Sequence, residues 1–109
     1  MTNLLAVLPV ADFVPALDWY ERLFGRPPDV FPLAHERLAE WQLTETAGIQ
    51  VVDDPHRAGT AQVTVAVDDL DRQLAVLSAR ALPVGAAGRT ATVADPAGNV
   101  ITFAALAAL

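Results

Sequence analysis

Residues 4–25, LLAVLPVADFVPALDWYERLFG, change their hydrophobic period once, at Asp12. Leu4 to Val10 is a continuous apolar run, the pattern of a strand buried on both faces. Asp12 offers a side-chain acceptor to the free N–H groups of a following helix. Pro15 falls in the first turn, where a missing N–H costs least. Phe13, Leu17, Tyr20 and Phe24 then recur at i, i+4, i+7 and i+11, a single apolar face at helical period. Gly25 suits the left-handed residue just past a helix, and Pro27-Pro28 forbid continuation.

The same order of signals returns in the second half. Gln62 to Val67 reads as a strand, Asp69 as a helix cap, and Leu70, Leu74 and Leu77 as the helical face. A shift of 57 residues lays Val10 on Val67, Asp12 on Asp69, Phe13 on Leu70, Leu17 on Leu74 and Tyr20 on Leu77. Cap and face coincide at one offset of about half the chain, which indicates an internal duplication. Between the halves, Asp29–Leu33 is expected as a short strand interrupted by Pro32. Leu38–Leu43 is a second strand and Ile49–Val52 a third, after a turn at Ala47-Gly48. Residues 54–60 mix proline, glycine and charge and suit a linker. In the second half, Pro83 and Gly85 close the helix. Arg89–Ala94 is a strand, Asp95-Pro96-Ala97-Gly98-Asn99 a tight turn, and Val100–Ala104 a final strand. The expected organisation is one domain, 1–109, with module one at 1–54, a linker at 54–60 and module two at 61–109.

Composition narrows the function classes. A chain of 109 residues suits a single core. Hydrophobic residues make up 53% of it, yet no apolar run approaches the roughly 20 residues of a membrane span. The N-terminus lacks a basic stretch followed by an apolar segment, so no signal peptide is expected and the cytoplasm is the default location. Cysteine is absent, which excludes disulfides, thiolate metal sites and a cysteine nucleophile. Seven basic residues, all arginine, against thirteen acidic ones leave a net charge of −6. Nucleic-acid binding through clustered cations is therefore not expected, whereas a cationic small molecule would be attracted at long range.

Leu8-Pro9-Val10-Ala11-Asp12 leading into Trp19-Tyr20-Glu21-Arg22-Leu23-Phe24-Gly25, then Val67-Asp68-Asp69-Leu70, then Asp95-Pro96-Ala97-Gly98-Asn99, resemble in order and spacing the vicinal oxygen chelate superfamily. That superfamily includes glyoxalases, bleomycin-resistance proteins, fosfomycin-resistance enzymes and extradiol dioxygenases. The resemblance covers the whole chain. It implies an α+β fold of two β-α-β-β-β modules, forming a U-shaped, cupped mixed sheet with helices outside and a groove inside. It also implies a homodimer with the groove near the interface. It does not imply a reaction, because one fold hosts many functions.

Catalytic members of the superfamily hold a divalent metal through His, Gln or Glu on the first and last strands of each module. Carried onto this chain, those positions fall on Leu5, Gln62 and Thr102, with the fourth near Gln50 or Val52. Leu5 cannot ligate, Thr102 is a poor neutral ligand, and one amide oxygen from Gln62 holds no divalent ion. No metal or other cofactor is expected. His56 beside Asp53 and Asp54 reads as a solvated loop, and His35 beside Glu36 likewise. Ser78, the sole serine, sits mid-helix, away from any nucleophile elbow.

Strand alternation places Leu5 and Val7 inward, with Val52, Gln62, Thr64 and Thr102, opposite the valine face of Val63, Val65 and Val67. Trp41 is a candidate stacking surface for a planar ligand, and Glu40, on the other face of that strand, is then turned away. The apolar stretch Ala104–Leu109 suits burial against a second subunit. The expected function is a metal-independent binding protein resembling the bleomycin-resistance branch, which sequesters a cationic or aromatic small molecule. The rivals are a metal-dependent glyoxalase-like lyase or isomerase using Glu40, Glu45 or Asp53, and a domain that only pairs with another protein.

Overall fold

The computed structural model describes residues 1–30 and 37–106. In chain order they form β1 (Leu4–Val10), α1 (Phe13–Phe24), β2 (Leu38–Gln42), β3 (Ala47–Asp53), β4 (Gln62–Val67), α2 (Leu70–Ala79), β5 (Gly85–Ala87), β6 (Thr90–Ala94) and β7 (Val100–Ala105). The fold is α+β, with one sheet in the order β1-β3-β2 and another in the order β4-β7-β6-β5. The pairing is the same in both: β1 runs parallel to β3 and β4 parallel to β7, while β2 and β6 lie antiparallel on the far side. Among the described residues, no helix is long and apolar enough to cross a membrane.

The strands β1 and β4 begin and end where their apolar runs do. Four expectations are corrected. The turn between β2 and β3 lies at 43–46, because Ala47 and Gly48 already pair with Leu4 and Leu5. Gly48 is there for close approach: a Cβ would lie 2.7 Å from the Trp41 carbonyl oxygen. Gly85 does not close a helix, for α2 ends at Ala79 and Gly85 opens the edge strand β5, opposite Thr92. Asp12 has the extended backbone of a cap, but its side chain makes no capping hydrogen bond to the helix. Asp69 does cap its helix, accepting from the Arg72 N–H at 3.0 Å. The expected strand at Asp29–Leu33 is represented by Val30, which makes an isolated antiparallel bridge to Glu40. Residues 31–36, with His35 and Glu36, and 107–109, the end of the apolar tail, lie outside the described residues.

One hydrophobic cluster lies between the sheets and the helices. Leu8 and Val10, Ala39 and Trp41, Ile49 and Val51, and Ile101 and Phe103 point into it at strand period. Helix α1 buries Phe13, Ala16, Trp19, Tyr20 and Leu23, a stripe centred beside the expected one, with Leu17 and Phe24 only partly covered. Helix α2 buries only Leu77 completely. The helices meet at their C-termini, where the Arg80 guanidinium donates to the Leu23 carbonyl oxygen at 2.7 Å. That contact satisfies a free carbonyl at the negative end of α1. Gly25, at φ 72°, ends α1 in the left-handed conformation and leaves room for the guanidinium.

The two halves are joined through the β6–β7 turn. Asp95 Oδ1 accepts the backbone N–H groups of Ala97, Gly98 and Asn99 at 2.8–2.9 Å. Asp95 Oδ2 accepts from the Tyr20 hydroxyl at 2.7 Å and from Asn99 Nδ2 at 2.8 Å. The Asn99 amide also donates to the Pro9 carbonyl oxygen at 2.7 Å and accepts from the Ala61 N–H at 3.0 Å. One fully buried asparagine thus ties the end of β1 to the start of β4. Burial first, then the Asp95 charge and the hydrogen bond it accepts, push the Tyr20 phenol far above its ordinary range. Residues 54–60 dock on this junction: Asp54 N–H donates to the Val10 carbonyl and Gly59 N–H to that of Pro9.

Candidate functional site

With one face of each sheet committed to the core, the other is turned away from the helices. In the first sheet the central cross-strand row on that face is Val7–Gln50–Glu40. In the second it is Thr64–Thr102–Thr92. The 57-residue offset relates Val7 to Thr64 and Leu5 to Gln62, and the strand pairing places Gln50 and Glu40 where the second sheet has Thr102 and Thr92. Val7 is 49% exposed. Gln62 and Thr64 are also exposed, whereas Leu5, Glu40, Gln50, Val52, Thr92 and Thr102 are half-buried.

The candidate residues therefore divide. Leu5, Val7 and Val52 lie on the outward face of the first sheet, and Gln62, Thr64 and Thr102 on that of the second. Trp41 does not: it is fully buried on the helix side, its ring centroid 5.5 Å from Phe24 and 5.9 Å from Tyr20. Its indole N–H donates to the Arg26 carbonyl oxygen at 3.0 Å. A side chain so packed offers no surface to a ligand. The strand alternation that buries Trp41 turns Glu40 outward instead, where Glu40 Oε1 accepts from Gln50 Nε2 at 2.8 Å. The sequence carried that signal, since apolar Ala39 and Trp41 alternate with polar Glu40 and Gln42. Thr92, between buried Ala91 and Val93, is legible by the same rule.

The two sheets also leave a gap between their edges, lined chiefly by residues of the core-facing side. Neither free edge, β1 nor β4, is paired to the other. Between them opens an apolar cleft of about 300 Å³, reached by Leu4, Ala6, Ile49, Val63, Thr64 and Val65. That volume lies at the lower end of the ligand-pocket range. Only Thr64 belongs to both the cleft and the open-face set.

The donors do not fit a divalent metal. Leu5 has no lone pair to give, and Gln62, Thr102 and Gln50 are all neutral, the Gln50 amide nitrogen donating to Glu40. Among the described residues, no three His, Cys, Asp or Glu side chains come together as a ligand set. Asp53 lies 3.9 Å from Arg37, and Glu45 and His56 are exposed in turns.

No protein-family model matches the chain, and no curated protein sequence does. Solved structures do match. A glyoxalase/bleomycin resistance protein from Catenulispora acidiphila is 36% identical over 97% of this chain and 99% of its own, with a TM-score of 0.88. At that likeness the chain belongs to the glyoxalase/bleomycin-resistance family. TnmS3, an antibiotic-binding protein from a Streptomyces strain, is 27% identical over 96% of this chain and 95% of its own, with a TM-score of 0.76. A bleomycin-binding protein solved with bleomycin also has a TM-score of 0.76, over 96% of this chain and 98% of its own, and at 16% identity it shares the fold alone.

Proposed function

We propose that this protein is a metal-independent small-molecule binding protein that works as a homodimer and sequesters a cationic or aromatic compound on the open face. The observation that carries this reading is the donor set. The positions that would hold a metal are Leu5, Gln62 and Thr102, and the fourth is the neutral Gln50, so the set brings no charge to a divalent ion. Such a face still provides apolar surface at Leu5, Val7 and Val52, and hydroxyl and amide groups at Gln62, Thr64 and Thr102. Sequestration requires shape, apolar contact and a few placed polar groups. The likeness to an antibiotic-binding protein supports the same role. Dimerisation is supported by apolar side chains left in water, with Leu4 at 72% and Leu106 at 58% exposure.

Native mass spectrometry of the purified, untagged protein tests this reading. A metal-free dimer that retains or accepts an organic molecule supports it. One divalent ion per subunit overturns it in favour of a glyoxalase-like lyase or isomerase.

A further inference from the structure

Helix α2 packs more loosely than α1. It buries Leu77 completely, while Gln73, Val76 and Arg80, on one helical face at i, i+3 and i+7, stay half-buried. That face and the end of α1 leave an open cavity of about 460 Å³, a volume within the ligand-pocket range. Phe24, Val65, Val67, Val76 and Phe103 supply its apolar walls. Val65, Val67 and Phe103 belong to the core-facing side of the second sheet. The cavity is therefore separate from the outward faces assigned above to a small molecule.

Three polar side chains line it: Thr44, Gln73 and Arg80. The Thr44 hydroxyl accepts from the Thr46 N–H at 3.2 Å, whereas the Gln73 amide makes no hydrogen bond among the described residues. Arg80 is the single charge. Its guanidinium carries five N–H donors, and one of them is used, on the Leu23 carbonyl oxygen at 2.7 Å. Neither ion pair among the described residues includes it. The group is also confined, for a Cβ at Gly25 would lie 2.7 Å from Arg80 Cζ. A cation held against apolar walls without a counter-ion is poorly satisfied. A carboxylate, which accepts two parallel N–H bonds from the guanidinium fork, is its best complement.

We infer that this cavity is a further binding site, and that it takes a small organic monocarboxylate with its carboxylate on Arg80, its second donor at Gln73, and its apolar body against Phe24, Val65 and Val76. The net charge of −6 opposes an anion at long range. Recognition therefore rests on contact with Arg80 and not on steering.

The test uses three probes of one shape, 3-phenylpropanoate, 3-phenylpropanamide and 3-phenylpropylammonium, on the full-length protein, by calorimetry and amide chemical-shift mapping. The carboxylate is expected to bind roughly tenfold more tightly than the amide, the difference between a charge-assisted and a neutral hydrogen bond. The ammonium should bind most weakly. Shifts caused by the carboxylate should centre on Gln73, Val76 and Arg80. Arg80→Met should abolish the preference, and Arg80→Lys should keep part of it, as a point charge replaces the fork. Arg80 also caps α1, so a second variant spares it: Val76→Phe fills the cavity and should weaken acid and amide alike by roughly tenfold or more. Equal affinities for acid and amide, or a preference that survives Arg80→Met in a folded variant, overturn the carboxylate assignment. No binding of the acid, or unchanged binding in Val76→Phe, overturns the site itself. Shifts confined to Gln62, Thr64 and Thr102 overturn it too, and leave the reading of the outward faces standing.

Discussion

Two sets of polar groups can be compared: Asp95, Asn99 and Tyr20 at the junction of the halves, and Glu40, Gln50, Thr64 and Thr102 on the outward faces of the two sheets. They use the same chemistry of carboxylate, amide and hydroxyl. At the junction both oxygens of Asp95 and both ends of the Asn99 amide are occupied, and both residues are buried. On the open face Gln50 binds Glu40 through one oxygen, and the two hydroxyls have no partner among the described residues. A closed cluster spends its hydrogen bonds on holding the chain together; an open one keeps them for a visitor. The comparison therefore predicts opposite phenotypes. Asn99→Ala removes three hydrogen bonds, strands the Ala61 N–H and leaves a cavity. Pro9 keeps only the longer bond from Gly59 N–H, at 3.3 Å. The expected loss is about 3 kcal/mol of unfolding free energy, read by urea denaturation.

Tyr20→Phe sharpens the contrast with a smaller change. The ring stays among Trp19, Phe24 and Trp41, and Asp95 keeps its other donors. The loss should be about 2 kcal/mol, that of one hydrogen bond to a charged group. Its pH dependence identifies the bond. Burial and Asp95 raise the folded-state pKa of Tyr20, so above about pH 10, where the unfolded phenol ionises, the native state binds the extra proton. The contribution is fully present below that pH and is lost above it, with a slope approaching 1.4 kcal/mol per pH unit. The chain has one tyrosine, no cysteine and no lysine. Until arginine titrates, above about pH 12, no other side chain changes charge there. A parent curve that falls above pH 10 beside a flat Tyr20→Phe curve confirms the assignment, and parallel curves refute it.

Much of this molecule is written in local patterns. The strand before Asp12, the glycine end of α1 and the repeat at offset 57 are decided within a few residues of where they act. The elements misread are those whose cause lies elsewhere in the chain. Gly48 looks like a turn residue until the Trp41 carbonyl beside it is known. Gly85–Ala87 has no strand propensity of its own and is held by pairing with 90–92. Asn99 reads as part of a turn, and its partners Pro9 and Ala61 are tens of residues away in sequence. On the open face, alternation separated Leu5, Val7, Gln62, Thr64 and Thr102 from the core. Choosing Trp41 over Glu40 took the aromatic ring as the sign of a ligand, when the strand's own period, with Ala39 buried and Glu40 half-buried, pointed the other way.

The smallest expected effect bears most directly on function. Thr102→Val replaces a hydroxyl by a methyl group of nearly the same shape on a central strand. The hydroxyl has no protein partner among the described residues, so no buried group is stranded. Valine also favours a strand at least as well as threonine. Stability should therefore move by less than about 0.5 kcal/mol, where an Asn99 substitution costs several times that. If the open face receives a ligand as argued, that silent change weakens binding of any molecule that hydrogen-bonds Thr102, by about 1 kcal/mol or some fivefold. A clear loss of stability in Thr102→Val would mean that the open face is part of the molecule's own structure, and the distinction between the two clusters would fail.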